Sequence, residues 1–415
     1  MSIPLTEEAK KARSQLRKLM AATGVDDVDQ GCALLQELAS DPEMRPVVEE
    51  LAEGTTGPRA LGDGNYVVVG QEISRRAKAS HRHTVALWTL RALGQLDDVT
   101  WLDLRMFETH DGDEQPACLR NADALVGLKA LTRLTFYGPL TNVDGLAGMA
   151  TLESLGLAEC GSLANVDGLA GLTRLRELDL DGCSALTNVD GLTGLTGLEW
   201  LNLEGCTSLT NLKGLAGLAS LQKLELGGTA LANLNGLAGL PSLKEVRGSE
   251  CESLTSLDGM SGLPNLETVY LASCSALKNL DGLVGLPKLK SLTLDESSAL
   301  TRLDGLAGLT NLEDLSLQEC TSLKDLAGLS KLVNLDTLEL EGCTSLKNVD
   351  GLAGSPRLET LYLSGCRSLK NLDGLAGLGT IETLHLDGCS ALAPGLEGQY
   401  DDRQAVAALQ AKLGG

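Results

Sequence analysis

The sequence predicts an α/β solenoid, in which short coils, each with one strand and one helical turn, stack along an axis. Three observations support this prediction. The chain repeats itself with a period of about 23 residues. The repeats share a strand-like pattern of alternating leucines, and only 2% of the residues are aromatic although 43% are hydrophobic. One coil cannot bury its apolar side alone, so the coils must stack around a core of aliphatic side chains.

Each repeat contains a strand segment and a turn segment. The sequence NVDGLAGL at 165–172 returns with small changes at 188–195, 279–286 and 371–378. The L-x-L segment of each unit has period two, which predicts a short strand with both leucines facing inward. The following leucines come every three residues, as in 3-10 turns, and Asp190 is predicted to cap such a turn. The predicted strand centres, about 13 in number, are the Leu or Val residues at 102, 134, 155, 178, 201, 224, 246, 269, 292, 315, 338, 361 and 384.

The full unit, L-x-x-L-x-L-x-x-C-x-x-L-x-N-L-D-G-L-x-G, resembles the leucine-rich repeat family over residues 96–398. Its return segment is similar to internalin-like and phosphatase-regulator-like repeats, and its C-x-x-L step is similar to cysteine-containing repeats. The resemblance implies a right-handed solenoid with a concave parallel β-sheet, 3-10 or short helical segments on the convex side, and helical caps at both ends. Gly248, Ser355 and Ala327 depart from the pattern, and an insertion at 105–118 interrupts it.

The two ends of the chain leave the repeat pattern. Residues 399–415 are predicted to form a C-terminal capping helix, with Val406, Leu409 and Leu413 at helical spacing. Residues 1–95 contain amphipathic helical patterns and a candidate strand at 67–69. They fit either a helical N-terminal cap or a small separate domain, and the sequence does not decide between these two.

Charge and cysteine usage restrict the partners and the compartment. The formal net charge of −22 argues against nucleic acid and anionic membranes as partners, and favours a protein with a basic or mixed surface. The N-terminus has no apolar segment typical of a Sec signal, and the odd total of 11 cysteines fits reduced thiols. We expect a monomer in the cytoplasm. The family resemblance also allows an effector exported without a Sec signal.

One position of the repeat is occupied by cysteine in most units: Cys160, Cys183, Cys206, Cys251, Cys274, Cys320, Cys343, Cys366 and Cys389. These thiols could form a ladder that binds metal or senses oxidation, because neighbouring coils lie about 5 Å apart. Thr229 and Ser297 replace cysteine in two units, which favours small buried side chains that donate hydrogen bonds to backbone carbonyls. We therefore expect no metal and no cofactor.

Asparagine recurs before the D-G turn, where its side chain is expected to bond the backbone of stacked turns. The asparagines are Asn142, Asn165, Asn188, Asn211, Asn233, Asn279, Asn348 and Asn371. The acidic segment 110–114 lacks the ligand spacing of a calcium loop and is expected to be solvated. No catalytic motif has credible spacing, so the sequence does not predict an enzyme.

The residues that flank the inward leucines are free of core demands, so any binding specificity is expected there. Aromatic side chains are enriched at binding hot spots, and five of the ten Trp, Tyr and Phe residues fall at these positions. We therefore predict a non-catalytic protein-interaction module centred on Trp200, Tyr270 and the acidic residues 177–204. The alternative is a regulatory or effector activity in residues 1–95 that the solenoid targets. The predicted partner-binding residues are Trp101, Asp103, Tyr137, Glu177, Asp179, Asp181, Trp200, Asn202, Glu204, Glu225, Arg247, Tyr270, Glu339, Tyr362 and His385, with Glu245, Asp314, Glu341 and Asp387 on the same face.

Overall fold

The structure is a computed structural model that describes residues 11, 59–60, 66–68, 99–104 and 121–413. The chain divides into two compact units, 1–184 and 185–415, and this division falls inside the predicted solenoid. The predicted N-terminal helices and the insertion at 105–118 lie outside the described residues. The question of a cap or a separate domain at 1–95 therefore stays open.

The first unit contains strands with the predicted leucine register. Val67, Leu102, Leu134, Leu155 and Leu178 lie opposite one another in successive parallel pairs. The candidate strand at 67–69 is present as β2, which also pairs with β1 in the antiparallel direction. The strands of this unit are β1 (Arg59–Ala60), β2 (Tyr66–Val68), β3 (Trp101–Leu104), β4 (Arg133–Phe136), β5 (Ser154–Gly156) and β6 (Glu177–Asp179).

The second unit continues the pattern with a parallel sheet in chain order. Every predicted strand centre from Leu201 to Leu384 is buried and is the second residue of its strand, where it lies opposite its counterpart in the next strand. The strands are β7 (Trp200–Asn202), β8 (Lys223–Glu225), β9 (Glu245–Ser249), β10 (Thr268–Ala272), β11 (Ser291–Thr293), β12 (Asp314–Ser316), β13 (Thr337–Glu339), β14 (Thr360–Tyr362), β15 (Thr383–His385) and β16 (Gln399–Tyr400).

Leucine fills the core because the periodic leucines of each coil, from the strand and from the turns, all point into the interior of the coil. In the coil of β12, for example, Leu312, Leu315 and Leu317 are almost completely buried. The leucines that follow at intervals of three reach the same core from 3-10 turns. A Leu side chain buried in this way stabilises the fold by about 1.5–3 kcal/mol. The repeated coil therefore supplies stability in proportion to the number of stacked copies.

The turns are capped by the residue two positions before the predicted aspartate, which is usually asparagine, so the prediction for Asp190 was wrong. The backbone N–H of Asp190 donates to Oδ1 of Asn188 at 3.1 Å, and no Asp side chain caps the turn. All eight predicted asparagines bond in this way to the residue two positions later. Where Ala327 replaces aspartate, Asp325 takes the role of asparagine at 3.2 Å. The bonds are local to each turn, and do not join neighbouring coils as the sequence suggested.

The ladder cysteines are free, buried and bonded to backbone carbonyls, as predicted. In five of them, Cys183, Cys320, Cys343, Cys366 and Cys389, Sγ donates to the carbonyl oxygen 26 residues earlier, for example from Cys343 to Leu317 at 3.1 Å. Cys251 donates to Leu226 O at 3.5 Å, and Cys274 donates to Ala272 O at 3.6 Å. Burial raises the pKa of Cys320 to about 12, even though a backbone hydrogen bond opposes the shift. The substitutes behave differently from what the sequence suggested, because the buried hydroxyl oxygens of Thr229 and Ser297 have no hydrogen-bond partner.

The second unit ends in a strand and a helix. β16 pairs antiparallel with β15, and helix α1 follows at Arg403–Leu413. Asp402 Oδ1 accepts from the N–H of Ala405 at 2.7 Å and so caps this helix. Val406 and Leu409 are buried, and Gln410 Nε2 donates to the carbonyls of Leu375 and Leu378 at 2.8 and 3.1 Å. These contacts cover leucines and backbone carbonyls of the last coil.

Candidate functional site

The outward-facing residues on the strands of the second unit form regular columns. We call the surface made by strands β7–β15 the strand face. The register places the third residue of each strand beside its counterpart in the next, at about 4.8 Å per strand. This column reads Asn202, Glu225, Arg247, Tyr270, Thr293, Ser316, Glu339, Tyr362 and His385.

Carboxylates gather on the strand face at β11–β13. We call Asp295, Asp314 and Glu339 the carboxylate cluster. Ser316 Oγ connects two of them, because it lies 2.6 Å from Asp295 Oδ1 and 3.0 Å from Glu339 Oε2. The Gln318 backbone N–H donates to Asp295 at 2.9 Å, and its side-chain amide donates to Glu339 at 2.5 Å. Neutral donors from one strand thus hold carboxylates from its two neighbours.

The electrostatics of the cluster disfavour its charged form. Burial raises the pKa of Asp295, and the nearby Glu339 and Glu296 add to this against the hydrogen bonds from Ser316 and Gln318. Burial also raises the pKa of Asp314, with further contributions from Asp336, Glu313 and Glu339. Lys290 acts in the opposite direction but is itself paired with Glu313 at 2.9 Å. The cluster therefore carries negative charge that its own surroundings do not neutralise.

Aromatic side chains lie on both sides of the cluster in the third-residue column. Tyr270 is 43% exposed, and Tyr362 lies four strands further on, which corresponds to about 19 Å. Tyr362 contacts the ring of His385 edge-on, with 4.9 Å between centroids, and His385 Nε2 lies 2.9 Å from Asp401 Oδ1. The flat strand face between the two tyrosines is polar and acidic.

The edge of the strand face next to the cluster has a strained backbone. Glu250, Ser273, Glu296 and Glu319 have φ of 54–58°, at a coil position where Gly342 and other coils have glycine. A non-glycine residue in this left-handed conformation costs roughly 1–2 kcal/mol. Three of these four strained residues of the second unit are glutamates, so the edge carries extra negative charge at a cost in stability.

The region around Trp200 is more self-contained than the sequence suggested. Trp200 Nε1 donates to Glu225 Oε1 at 3.3 Å, and Lys223 Nζ lies 2.8 Å from the same oxygen. Burial opposes the ionisation of Glu225, but these two hydrogen bonds outweigh it and lower its pKa. Asn202 is only 9% exposed, and its Oδ1 accepts from the Glu204 N–H at 3.0 Å. Arg247 pairs with Glu245. Here charges compensate one another.

Comparison with solved structures agrees with this architecture. An internalin (inlF) from Listeria monocytogenes superposes with a TM-score of 0.55 at 19% identity, over 84% of this chain and 94% of the internalin. The chain folds as a leucine-rich-repeat solenoid. Within it, residues 313–394 match the family model of the leucine-rich-repeat domain of the endo-β-N-acetylglucosaminidase EndoS.

Two further solved structures are similar to this solenoid. One is an internalin C2 (inlC2) from Listeria monocytogenes, with a TM-score of 0.38 and 25% identity, over 49% of this chain and 84% of that one. The other is the leucine-rich repeat domain of the type III effector XopL, with a TM-score of 0.42 and 20% identity, over 87% of this chain and 97% of that one. No curated protein sequence matches the chain.

The first unit of the solenoid carries the remaining predicted site residues. Trp101 in β3 is 37% exposed, and Tyr137 follows β4 and is half-buried. Asp103 lies in β3, but its side chain is outside the described part. Glu177 accepts from Ser154 Oγ at 3.0 Å in β6. Asp179 Oδ1 accepts from the backbone N–H of Asp181 at 3.2 Å, so the Asp179 carboxylate is engaged in a local turn.

Sequence analysis named Glu339 and Asp314 but missed Asp295, Ser316 and Gln318. Asp295 stands at the position of Asp181 and Asp387, so its outward direction could have been deduced from the repeat. Its partial burial and its contacts across strands could not be deduced, because they depend on side chains of three successive coils.

Among the residues that the structure describes, no group of three or more His, Cys, Asp or Glu side chains is placed to hold a metal ion. In the same part of the chain, no helix is long and apolar enough to cross a membrane.

Proposed function

We propose that this solenoid is a non-catalytic protein-interaction module, and that its strand face binds a protein partner through basic side chains. The observation that carries this proposal is the carboxylate cluster, in which the pKa values of Asp295 and Asp314 are raised and the nearby base, Lys290, is already paired with Glu313. A Lys or Arg side chain of a partner would supply the missing positive charge. The proposal places the centre at β10–β14, further along the chain than the acidic residues 177–204.

Without a partner, the carboxylate cluster destabilises the protein. Like charges close together and carboxylates removed from water both reduce the free energy of unfolding. If the acidic residues served only solubility, they could lie further apart on the surface without this loss of stability. A partner that delivers cations relieves both penalties, so part of the cost of the cluster returns as binding free energy.

The surroundings of the cluster suit such a partner. Tyr270 and Tyr362 can contact cationic side chains through their ring faces, an interaction worth about 0.5–1 kcal/mol at an exposed site. The strands beneath them are held by the leucine core, so the face loses little freedom on binding. A segment that reaches both tyrosines would cross about five strands and fits a standard interface of about 800 Å² per partner.

The test is affinity capture from a whole lysate of the native cell, because the cytoplasmic location stays a prediction. Wild type would be compared with the triple variant Asp295→Asn, Asp314→Asn and Glu339→Gln, which keeps the hydrogen-bond acceptors and removes the charge. Each captured protein would then be titrated against both forms at several salt concentrations. We expect the variant to associate more slowly, with weaker binding and a smaller salt dependence.

A matched control changes the same number of charges elsewhere in the second unit. Asp281→Asn, Asp350→Asn and Asp373→Asn alter exposed first residues of 3-10 turns that lie away from the strand face. This control should bind like wild type. Equal loss in both triple variants would mean that only net charge matters, and unchanged binding in the cluster variant together with Tyr270→Ala and Tyr362→Ala would refute the site.

A further inference from the structure

A second charged column lies outside the strands, in the segment between each ladder cysteine and the following 3-10 turn. Lys324, Lys347 and Lys370 occupy the same position in three consecutive coils, and we call them the lysine column. Their backbones pair in register, because the N–H of Lys347 donates to Lys324 O at 3.1 Å and that of Lys370 to Lys347 O at 3.0 Å. The three side chains therefore start about 5 Å apart on one line.

The lysine column is exposed and is not neutralised. None of its members lies within 4.0 Å of a carboxylate in the part of the chain that the structure describes. By contrast, Lys223, Lys290 and Arg403 each pair with a glutamate on or beside the strand face. Arg367, exposed and three residues before Lys370, adds a fourth positive charge to the same surface.

The core gives no reason for lysine at this position. Other coils have Thr187, Thr210 or Thr301 there, and a 3-10 turn follows each of them as it follows the lysines. Threonine or serine residues precede the lysines in the same coils, for example Thr321 and Thr344, so the column is flanked by hydroxyl donors. Unpaired lysines stacked at this spacing repel one another, although the chain as a whole has a net charge of −22.

We propose that the lysine column is a docking surface for an acidic polypeptide segment. Carboxylate side chains complement both the ammonium groups and the neighbouring hydroxyls. The column is one residue wide, and the acidic residues Asp325, Asp350 and Asp373 follow within three positions of each lysine. An extended peptide can follow so narrow a line, whereas a nucleic acid duplex would place phosphates against these carboxylates. This surface is separate from the strand face and does not depend on its function.

The experiment measures binding of a fluorescein-labelled peptide of ten glutamates by fluorescence anisotropy at low salt. The test variant is Lys324→Gln, Lys347→Gln and Lys370→Gln in the full chain. The matched control, Lys244→Gln, Lys288→Gln and Lys331→Gln, removes the same charge from exposed positions of the second unit that form no column. Thermal unfolding of all three proteins verifies the fold.

We expect the column variant to bind the peptide about tenfold more weakly or worse, and the control to bind within about twofold of wild type. The salt dependence should also decrease only in the column variant. Equal weakening in both variants, or no peptide binding to wild type at all, would overturn the proposal. So would a ten-nucleotide single-stranded DNA that binds as tightly and depends on the same lysines. Sedimentation that reveals self-association lost in the column variant would assign the column to a second copy of the chain and equally reject the acidic segment.

Discussion

The substitution Ser297→Cys should stabilise the protein, although it places a thiol in a buried site. Ser297 has no exposed surface, and its hydroxyl has no hydrogen-bond partner. In the next coil Cys320 Sγ donates to the Leu294 carbonyl at 3.4 Å. The same offset of 26 residues assigns the Leu271 carbonyl to position 297. A cysteine there would take up the bond that the shorter serine side chain does not make.

The magnitude follows from two terms. A buried hydroxyl without a partner costs about 1–3 kcal/mol. A buried thiol behaves as a small apolar group with a weak donor, so it avoids most of this penalty. We expect a gain of about 1–2 kcal/mol in the free energy of unfolding. For a unit of the size of residues 185–415, each kcal/mol raises Tm by about 2–4 °C.

The assay is urea unfolding followed by circular dichroism, with calorimetry to test whether the transition is two-state, because long repeat arrays can lose cooperativity. The matched control is the reverse change, Cys320→Ser, which should destabilise the protein by a similar amount. Ser297→Ala should fall between serine and cysteine, since it removes the hydroxyl but leaves a small void. A neutral or destabilising Ser297→Cys combined with a harmless Cys320→Ser would show that the ladder bond contributes nothing.

Four further predictions concern stability and reactivity. Because the folded pKa of Asp314 is raised, its stability penalty is present above that pKa and disappears as pH falls to the ordinary value of 3.8. Asp314→Asn should therefore stabilise the protein at pH 7 by up to about 0.5 kcal/mol, with no difference from wild type below pH 3.8 in urea unfolding. Glu319→Gly should add about 1 kcal/mol by relieving its left-handed backbone, and an unchanged unfolding midpoint would argue against strain. Deleting residues 399–415 should uncover the last coil and cause self-association in light scattering; a monomer with unaltered Tm would contradict the capping role. The ladder thiols should react slowly with a thiol reagent at pH 8, because all nine are buried and burial raises the pKa of, for example, Cys160 and Cys366 to about 12; rapid reaction beyond Cys32 and Cys118 would contradict their burial.

The coil architecture could be predicted because one physical requirement is repeated many times. Each leucine that the pattern assigned to a strand centre is central and buried, since a coil with another register would expose its apolar side. The error at Asp190 has a local cause. Asparagine and aspartate both precede the turn, and the sequence does not reveal which side chain folds back on the backbone. The sequence predicted hydrogen bonds for the hydroxyls of Thr229 and Ser297, but the structure gives them no partner. The repeat pattern shows which residue type occupies a position, but not whether its side chain is long enough to contact a carbonyl.

The candidate site could be predicted only in part. Outward direction follows from strand alternation, so Tyr270, Glu339 and Tyr362 could be named from sequence alone. Whether a charge on that face is compensated depends on neighbours about 23 residues away along the chain. Glu225 has Arg247 as such a neighbour in addition to Lys223 on its own strand, whereas no base in the described part of the chain acts on the pKa of Asp295, and Lys290 near Asp314 is already paired with Glu313. Sequence reasoning identified the face, but the distribution of unpaired charge over it required the structure.

Because the coils repeat, a charged residue can be compared with the residues at the same position in the other coils. This comparison indicates which charged residues serve a function. Duplication of one unit would produce rows of identical side chains without selection for binding. Duplication accounts for the Asn and Cys columns, which stabilise the coils in which they occur. Copying does not account for Glu296 and Glu319, because most coils have glycine at that position and glutamate there strains the backbone. Residues that depart from the array at a cost in stability therefore point to function more strongly than residues that follow it. By this criterion the acidic edge beside Asp295 is the stronger candidate for a functional site, and the matched charge control distinguishes binding at the lysine column from repetition alone.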